Sequence, residues 1–388
     1  MTMINSFAMS PARSLYVAFD RYPQPKGSSS HIRSMTTALA ESHGPLTLLC
    51  LGAETLPLYE RDGPIEIVRM PSAHSDLLRR ATAFAEFAAH HTAARAATLE
   101  RVVFRDPWGG VPALRAAPNC KAIFEVNALP SWELPYSRPG FLTSAALQAK
   151  IADMERFCLR NATGVLTVSG VTRAALINEG VDGAKITTIP NAASDEFINA
   201  DPADDPIPLL REGPWCGYIG SLHPWQGVEF LIDAFAHARV DNARLAIIHN
   251  GAHNPREIER RVVNKGLNGR VLIHPPLPPR ELAGAISTMK FTTAPLTETA
   301  RNTYQGCCPV KIVESMAAGV PVLASDLAVT RELIDHGQNG MLAEPGDLRA
   351  WAHAIRAMFE MDCEPVNTRQ CFSWPEIHGK LRKVFRDL

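Results

Sequence analysis

The sequence predicts an α/β protein built from two doubly wound, parallel-sheet (Rossmann-like) domains of the kind that face a central cleft. Three observations carry this. Short apolar runs rich in β-branched residues alternate with helix-period stretches along most of the chain. The alternation lapses in NADPADDPIPLLREGP, where prolines and aspartates crowd without apolar periodicity, and then restarts. A chain of 388 residues also exceeds what one core usually supports. The expected organisation is an N-terminal domain over 1–200, a linker over 201–212, a second domain over 213–365 and a terminal segment over 366–388.

Composition narrows the function classes. Apolar residues make up 46% and charged residues 20%, ordinary for a globular protein. A formal charge of −1 gives no electrostatic case for nucleic acid. The eight cysteines show no CxxC pair and no His–Cys spacing suited to zinc, so no metal site is expected and a reducing cytoplasm fits best. Cys307 and Cys308 read as packed rather than disulfide-bonded. No apolar run approaches a membrane span. The opening MTMINSFAMSPARS lacks a cationic segment followed by an apolar core, and reads as a disordered leader rather than a signal peptide.

Taken in order, Ser14–Phe19 is a buried strand, and a loop then enters a helix striped by Ile32, Met35, Leu39 and Ala40. Lys26, Gly27, Ser28 and Ser29 at that turn offer backbone N–H groups, hydroxyls and a helix N-terminus, as an anion site requires. An ordinary helix N-cap by Ser28 or Ser29 is an equal reading. Leu46–Leu51 and Ile65–Arg69 are the next strands, and Leu77–Leu99 a long Ala-rich helix with interleaved Arg and His. That helix is read as a solvated face, with weak peripheral membrane contact as the alternative. Val102–Phe104 is a strand leading into RDPWGG, and Ala122–Asn127 leads into the loop ALPSWELPY. The second of these delivers Glu125 and Asn127 to a strand's C-terminal end, where open α/β sheets place ligands; an Asx-turn is the bland reading of Asn127. Gln148–Ala162 is a helix, Gly164–Ser169 a strand, VTRAALINEG a helix and Lys185–Pro190 a strand.

The second half repeats the pattern. Trp215–Gly220, Leu245–His249, Arg270–His274 and Phe291–Ala294 are strands, with helices at Val228–His237, Pro255–Lys265 and Glu281–Thr288, and a terminal helix in FSWPEIHGKLRKVFRDL. Asn250 follows the second of these strands and joins the substrate-binding candidates. Pro309–Asp326, PVKIVESMAAGVPVLASD, is the most informative stretch. Ile312, Val313, Met316 and Ala317 form an inward helical face that leaves Lys311, Glu314 and Ser315 on or near the other side. Gly319 ends the helix and Pro321–Ser325 is a buried strand. A carboxylate on the first turn of such a helix can accept hydrogen bonds from two vicinal ribose hydroxyls. Taken alone, Glu314 reads first as a solvated helix acid balancing Lys311.

The string PxKxxESMAxGxPVxASD resembles the donor-site signature of retaining glycosyltransferases of family 4, on the two-domain GT-B fold. EVNxLPSxELPY and PNAASDEF resemble further segments of that family. The resemblance implies a UDP- or GDP-sugar donor held through its ribose by Glu314, a hydroxyl acceptor near Gly27–His31 and Asn127–Glu133, no cofactor and no metal. It also implies a glycine-rich turn at Gly27 approaching the donor diphosphate, and a terminal helix crossing back to the N-terminal domain.

The chain departs from the family pattern in four places. The turn at Gly27 has one glycine where many members carry two. Relatives carry a histidine where Asn127 stands, and an amide cannot shuttle a proton. Relatives carry an arginine and a lysine after the first strand of the second domain, whereas GSLHPWQG has Ser221 and Gln226 beside Gly220. His223 and Lys311 are the expected substitutes, with Asn127 the third catalytic candidate; a loop histidine and a surface lysine are the bland readings. The first of two paired acids falls on Gly306, so Gln305, the Gly306 N–H or the Cys307 N–H is expected to take its place at the sugar, and Val310 is a further substrate-binding candidate. A retaining glycosyltransferase is therefore the leading expectation, against a catalytically silent GT-B protein that binds a nucleotide-sugar or a partner transferase, and an epimerase.

Overall fold

In the computed structural model, which describes residues 12–24, 27–71, 74–137, 140, 144–251, 254–361 and 373–387, the chain forms two compact units. One comprises the described residues of Met1–Thr167, Ile177–Ile189 and His378–Leu388; the other comprises those of Val168–Leu176 and Pro190–Ile377. Residues 1–11 of the expected leader and Lys26 lie outside the described residues, whereas Ser14, the leader's last residue, is buried and opens the first strand.

The first unit holds one sheet of β1 (Ser14–Arg21), β2 (Leu46–Leu51), β3 (Tyr59–Asp62), β4 (Ile65–Met70), β5 (Arg101–Phe104), β6 (Lys121–Val126), β7 (Gly164–Thr167) and β8 (Ile186–Thr188). Their order is β3-β4-β2-β1-β5-β6-β7-β8, parallel except for the antiparallel β3–β4 pair. The sequence gives no sign of β3, because YERD is exposed along its whole length and has no apolar face to alternate. Strand order reverses between β1 and β5, so ligand-binding residues are expected off the C-terminal ends there.

Two expectations in this unit are corrected, and one helix is added. RDPWGG, which the pattern does not assign, opens that helix: Asp106 caps Pro107–Ala116, its carboxylate accepting the Gly109 N–H at 2.8 Å. The glycines there serve close packing. A Cβ on Gly109 would lie 2.5 Å from Val17 Cγ1, and one on Gly110 2.4 Å from Phe104 Cδ2. ALPSWELPY likewise holds a helix, Pro130–Ser137. The helix expected over Leu77–Leu99 stops at Ala93, because the chain must turn for the Glu100 N–H to reach the Arg13 carbonyl at 2.8 Å and enter the sheet.

The second unit holds β9 (Trp215–Gly220), β10 (Arg244–His249), β11 (Val271–His274), β12 (Phe291–Ala294), β13 (Val322–Ser325) and β14 (Gly340–Ala343), ordered β11-β10-β9-β12-β13-β14. All neighbours are parallel. The order reverses between β9 and β12, which makes the loops after those two strands the natural ligand-binding edge. β14 and the helix Leu348–Glu360, which buries Trp351 completely, were not anticipated. Residues 201–212 do not run as a bare connection. They form two short 3₁₀ turns whose Ile207 and Leu210 pack with Trp215, and Trp215 Nε1 donates to the Leu209 carbonyl at 3.0 Å. A proline-rich string lacks helical or strand periodicity, yet two apolar residues suffice to anchor it.

Candidate functional site

The second unit builds its site where β9 ends. Gly220 takes φ +136°, and a Cβ there would sit 3.1 Å from Lys311 Nζ. The positive φ is what calls for glycine at this turn, and the bare Cα leaves the end of the lysine its room over the strand end. Lys311 rises from the helix Val310–Ala317; its ammonium donates to Gln226 Oε1 at 2.6 Å and lies 4.1 Å from the centre of the Tyr218 ring. Tyr218 is wholly buried, and its hydroxyl donates to the Ser221 carbonyl, shaping the loop that follows. Gln226, which carries no charge of its own, thus acts as the acceptor that aims a lysine from elsewhere in the chain.

Glu314 lies at the fifth residue of the helix rather than on its first turn. Ser315 does not face outward: it is buried, and Thr292 Oγ1 donates to it at 2.7 Å. Burial drives both ionisable groups toward neutrality. Desolvation lowers the Lys311 pKa to about 7, which the nearby Cys307 and Glu314 oppose and Arg301 reinforces. Desolvation raises the Glu314 pKa to about 8 against the pull of Lys311. The arrangement is suited to an incoming anion, which would restore the lysine's charge, and to hydroxyls that bond a carboxyl group.

The remaining second-unit candidates surround this pair unevenly. The Asn250 N–H donates to the Gly220 carbonyl at 3.1 Å, so Asn250 adjoins the same strand end. His223 stacks on Trp225 with ring centres 3.9 Å apart, one residue before Gln226 meets Lys311. The loop after β12 forms a wide turn over Arg301–Gln305, pinned by Asn302, whose amide donates to the carbonyls of Trp225 at 3.2 Å and Thr297 at 2.8 Å. Arg301 lies over the Trp225 ring at 5.4 Å from its centre. Gln305 and Gly306 are buried, Cys307 and Val310 half-buried.

Gly306 explains the absent acid. It adopts φ +77°, and a Cβ would stand 2.7 Å from the Thr172 backbone nitrogen and 2.9 Å from Ser169 Oγ. No side chain fits there without displacing the backbone. Gly306→Ala is accordingly expected to cost about 1–3 kcal/mol, read as a lowered urea midpoint. An unchanged midpoint would show that the turn is not held this tightly.

The first unit gathers a different set. Glu125, 2% exposed on β6, accepts from Tyr16 OH at 2.5 Å and from Arg105 Nε at 2.9 Å, and lies 2.9 Å from His31 Nε2. Asn127 Nδ2 also donates to it. Burial alone would raise the Glu125 pKa, but His31, Arg105 and the hydrogen bonds outweigh it and hold the carboxyl well below the usual range. Its oxygens are thus committed within the unit, and they fix the direction of Asn127 and His31. Gly27 and Ser28 open the helix Gly27–His43, so neither Ser28 nor Ser29 sits outside it as an N-cap; the Ser29 hydroxyl reaches back to accept the Gln24 N–H at 2.8 Å.

Sequence reasoning missed Tyr16, Arg105, Tyr218, Trp225, Arg301 and Asn302 as site residues. Each is contributed by a segment distant from its partners or, like Tyr218, is indistinguishable from core by pattern. Among the described residues no group of three His, Cys, Asp or Glu is arranged to hold a metal ion, and no helix is long and apolar enough to cross a membrane.

Two families match this chain: residues 26–192 match "Glycosyl transferase 4-like domain" and residues 213–361 match "Glycosyl transferases group 1". The chain belongs to the family 4 type of glycosyltransferases. Among curated relatives, the D-inositol 3-phosphate glycosyltransferase of Xylanimonas cellulosilytica is 26% identical over 47% of this chain and 45% of its own length. The 2-deoxystreptamine glucosyltransferase of Streptomyces kanamyceticus is 24% identical over 86% of this chain and 90% of its own. The match to the first of these spans about half of that relative. Among solved structures, sucrose-phosphate synthase of Thermosynechococcus elongatus superposes with TM-score 0.75 at 19% identity, covering 97% of this chain and 98% of its own. HepE of Anabaena in complex with UDP superposes with TM-score 0.71 at 17% identity, covering 97% and 100%. At these identities the structures establish the GT-B fold, with two parallel-sheet α/β domains.

Proposed function

We propose that this family 4 protein is a retaining glycosyltransferase that moves a sugar from a UDP- or GDP-sugar to a hydroxyl acceptor without a bound metal. The observation that carries the reading is the pairing of Lys311 and Glu314 on one helix at the β9 strand end, with Gln226 aiming the lysine. A carboxyl group for the ribose and an ammonium for the diphosphate stand one helical turn apart, which matches the order of those parts in a nucleotide-sugar. HepE, of the same fold, was crystallised with UDP and with UDP-glucose. In the proposed step the bond from the anomeric carbon to the diphosphate oxygen breaks, a bond to the acceptor oxygen forms on the same face, and the departing phosphate takes the acceptor's proton. The protein contributes orientation and charge stabilisation.

A silent nucleotide-sugar binder is the second reading, favoured by the uncharged Ser221 and Gln226 and by the desolvation of Lys311. Incubation with a panel of radiolabelled nucleotide-sugars and hydroxyl acceptors separates the two. Transfer or slow donor hydrolysis that survives EDTA supports the proposal; tight UDP binding with no turnover of any donor supports the alternative. Glu314→Ala is expected to weaken uridine and UDP binding alike by about 1–3 kcal/mol in calorimetry. Unchanged affinity would remove Glu314 from the ribose.

A further inference from the structure

We propose that Arg301 is a second donor-phosphate ligand, acting with Lys311 in place of the charge that Ser221 and Gln226 do not carry. This rests on the reading of the second unit as a nucleotide-sugar site. A departing diphosphate carries several negative charges, and a single lysine already pushed toward its neutral form is a weak counterpart for them. A second, permanently charged group would meet that need.

The geometry places one. Two successive residues of the loop after β9 each engage a cation from outside the loop: Trp225 lies under the Arg301 guanidinium at 5.4 Å, and Gln226 accepts from Lys311 at 2.6 Å. Neither contact neutralises its cation. A ring face attracts a guanidinium through its quadrupole, and an amide oxygen accepts a hydrogen bond without carrying a charge. Arg301 is further steered by its hydrogen bond to Asn302 Oδ1 at 3.1 Å. Asn302 is itself fully buried and tied to the Trp225 and Thr297 carbonyls. The turn carrying Arg301 is therefore fixed to the loop that holds Lys311's acceptor.

The consequence is a relocated anion site. The loop after β9 keeps its place at the strand-order reversal but supplies holders rather than charges; the charges come from the turn after β12 and from the signature helix. A guanidinium offers planar paired donors that match two phosphate oxygens, so Arg301 can grip a phosphate in a way the single ammonium of Lys311 does not.

The test compares UDP with uridine, by calorimetry, on the full chain carrying Arg301→Gln or Arg301→Lys. Arg301→Gln is expected to weaken UDP about tenfold or more while leaving uridine unchanged. Arg301→Lys, which keeps the charge and spares the fold if glutamine does not, is expected to recover part of the loss. UDP affinity unaffected by either change overturns the proposal, as does a parallel loss of uridine and UDP, which would mark Arg301 as a brace for Trp225. Those outcomes leave the nucleotide-sugar reading standing. A wild-type chain that binds none of UDP, GDP and ADP overturns both.

Discussion

Raising the pH from 7 to 9 is expected to weaken UDP binding progressively, approaching about tenfold per unit at the upper end. The cause is Lys311, whose pKa is drawn down to about 7 by desolvation. The ammonium must be protonated to pair with the diphosphate, so its contribution is complete below that value and is lost as the pH rises through the higher pKa of the bound state. The phosphate's own last ionisation, near pH ~6, is finished before this window opens. Lys311→Arg should flatten the profile because a guanidinium keeps its charge, and Lys311→Ala should give weak binding with no slope. Glu314, raised to about 8, titrates in the same range, so Glu314→Gln is the control: it should lower affinity but keep the slope. A wild-type dissociation constant that is flat from pH 7 to 9 would show that Lys311 does not face the phosphate.

The second large effect is on stability. Glu125→Ala is expected to destabilise the first unit by up to about 3–5 kcal/mol, because it takes the acid from beside the His31 imidazole and leaves the Arg105 guanidinium, among the described residues, only Asp20, 3.6 Å away. Urea unfolding followed by a probe in that unit measures it, since a chain of two units need not unfold in one step. The folded-state pKa of Glu125 is depressed, so its contribution is present above the ordinary value of 4.5 and fades as the pH falls through the depressed one. Asn127→Ala removes one donor and no charge, and should cost far less. If the two substitutions proved equal in stability, Glu125 would be a ligand-facing acid rather than the centre of a packed network.

Much of the fold was legible because it is written in short-range pattern. β2, β9 and β12 fall on the expected residues, since a buried parallel strand reads as a short run of apolar and β-branched residues with Gly or Pro at one or both ends. The helix Pro107–Ala116 was hidden because its glycines look like turn residues until Val17 and Phe104 are seen pressed against them. The strand Tyr59–Asp62 was hidden because an exposed edge strand has no apolar face. In the same way Glu314 and Lys311 could be named from their setting in one contiguous string, whereas Arg301 could not.

The sequence by itself determined the fold class, the alternation of strands and helices, and the signature helix, because each depends on neighbours within one element. Tertiary structure alone decided what the uncharged positions do. Gln226 aims Lys311, Gly306 is a glycine because Thr172 and Ser169 occupy the space an acid would need, and Glu125 is spent on Tyr16, Arg105, His31 and Asn127. Those roles depend on atoms brought within a few ångströms from distant parts of the chain, and no local pattern encodes which segments will meet.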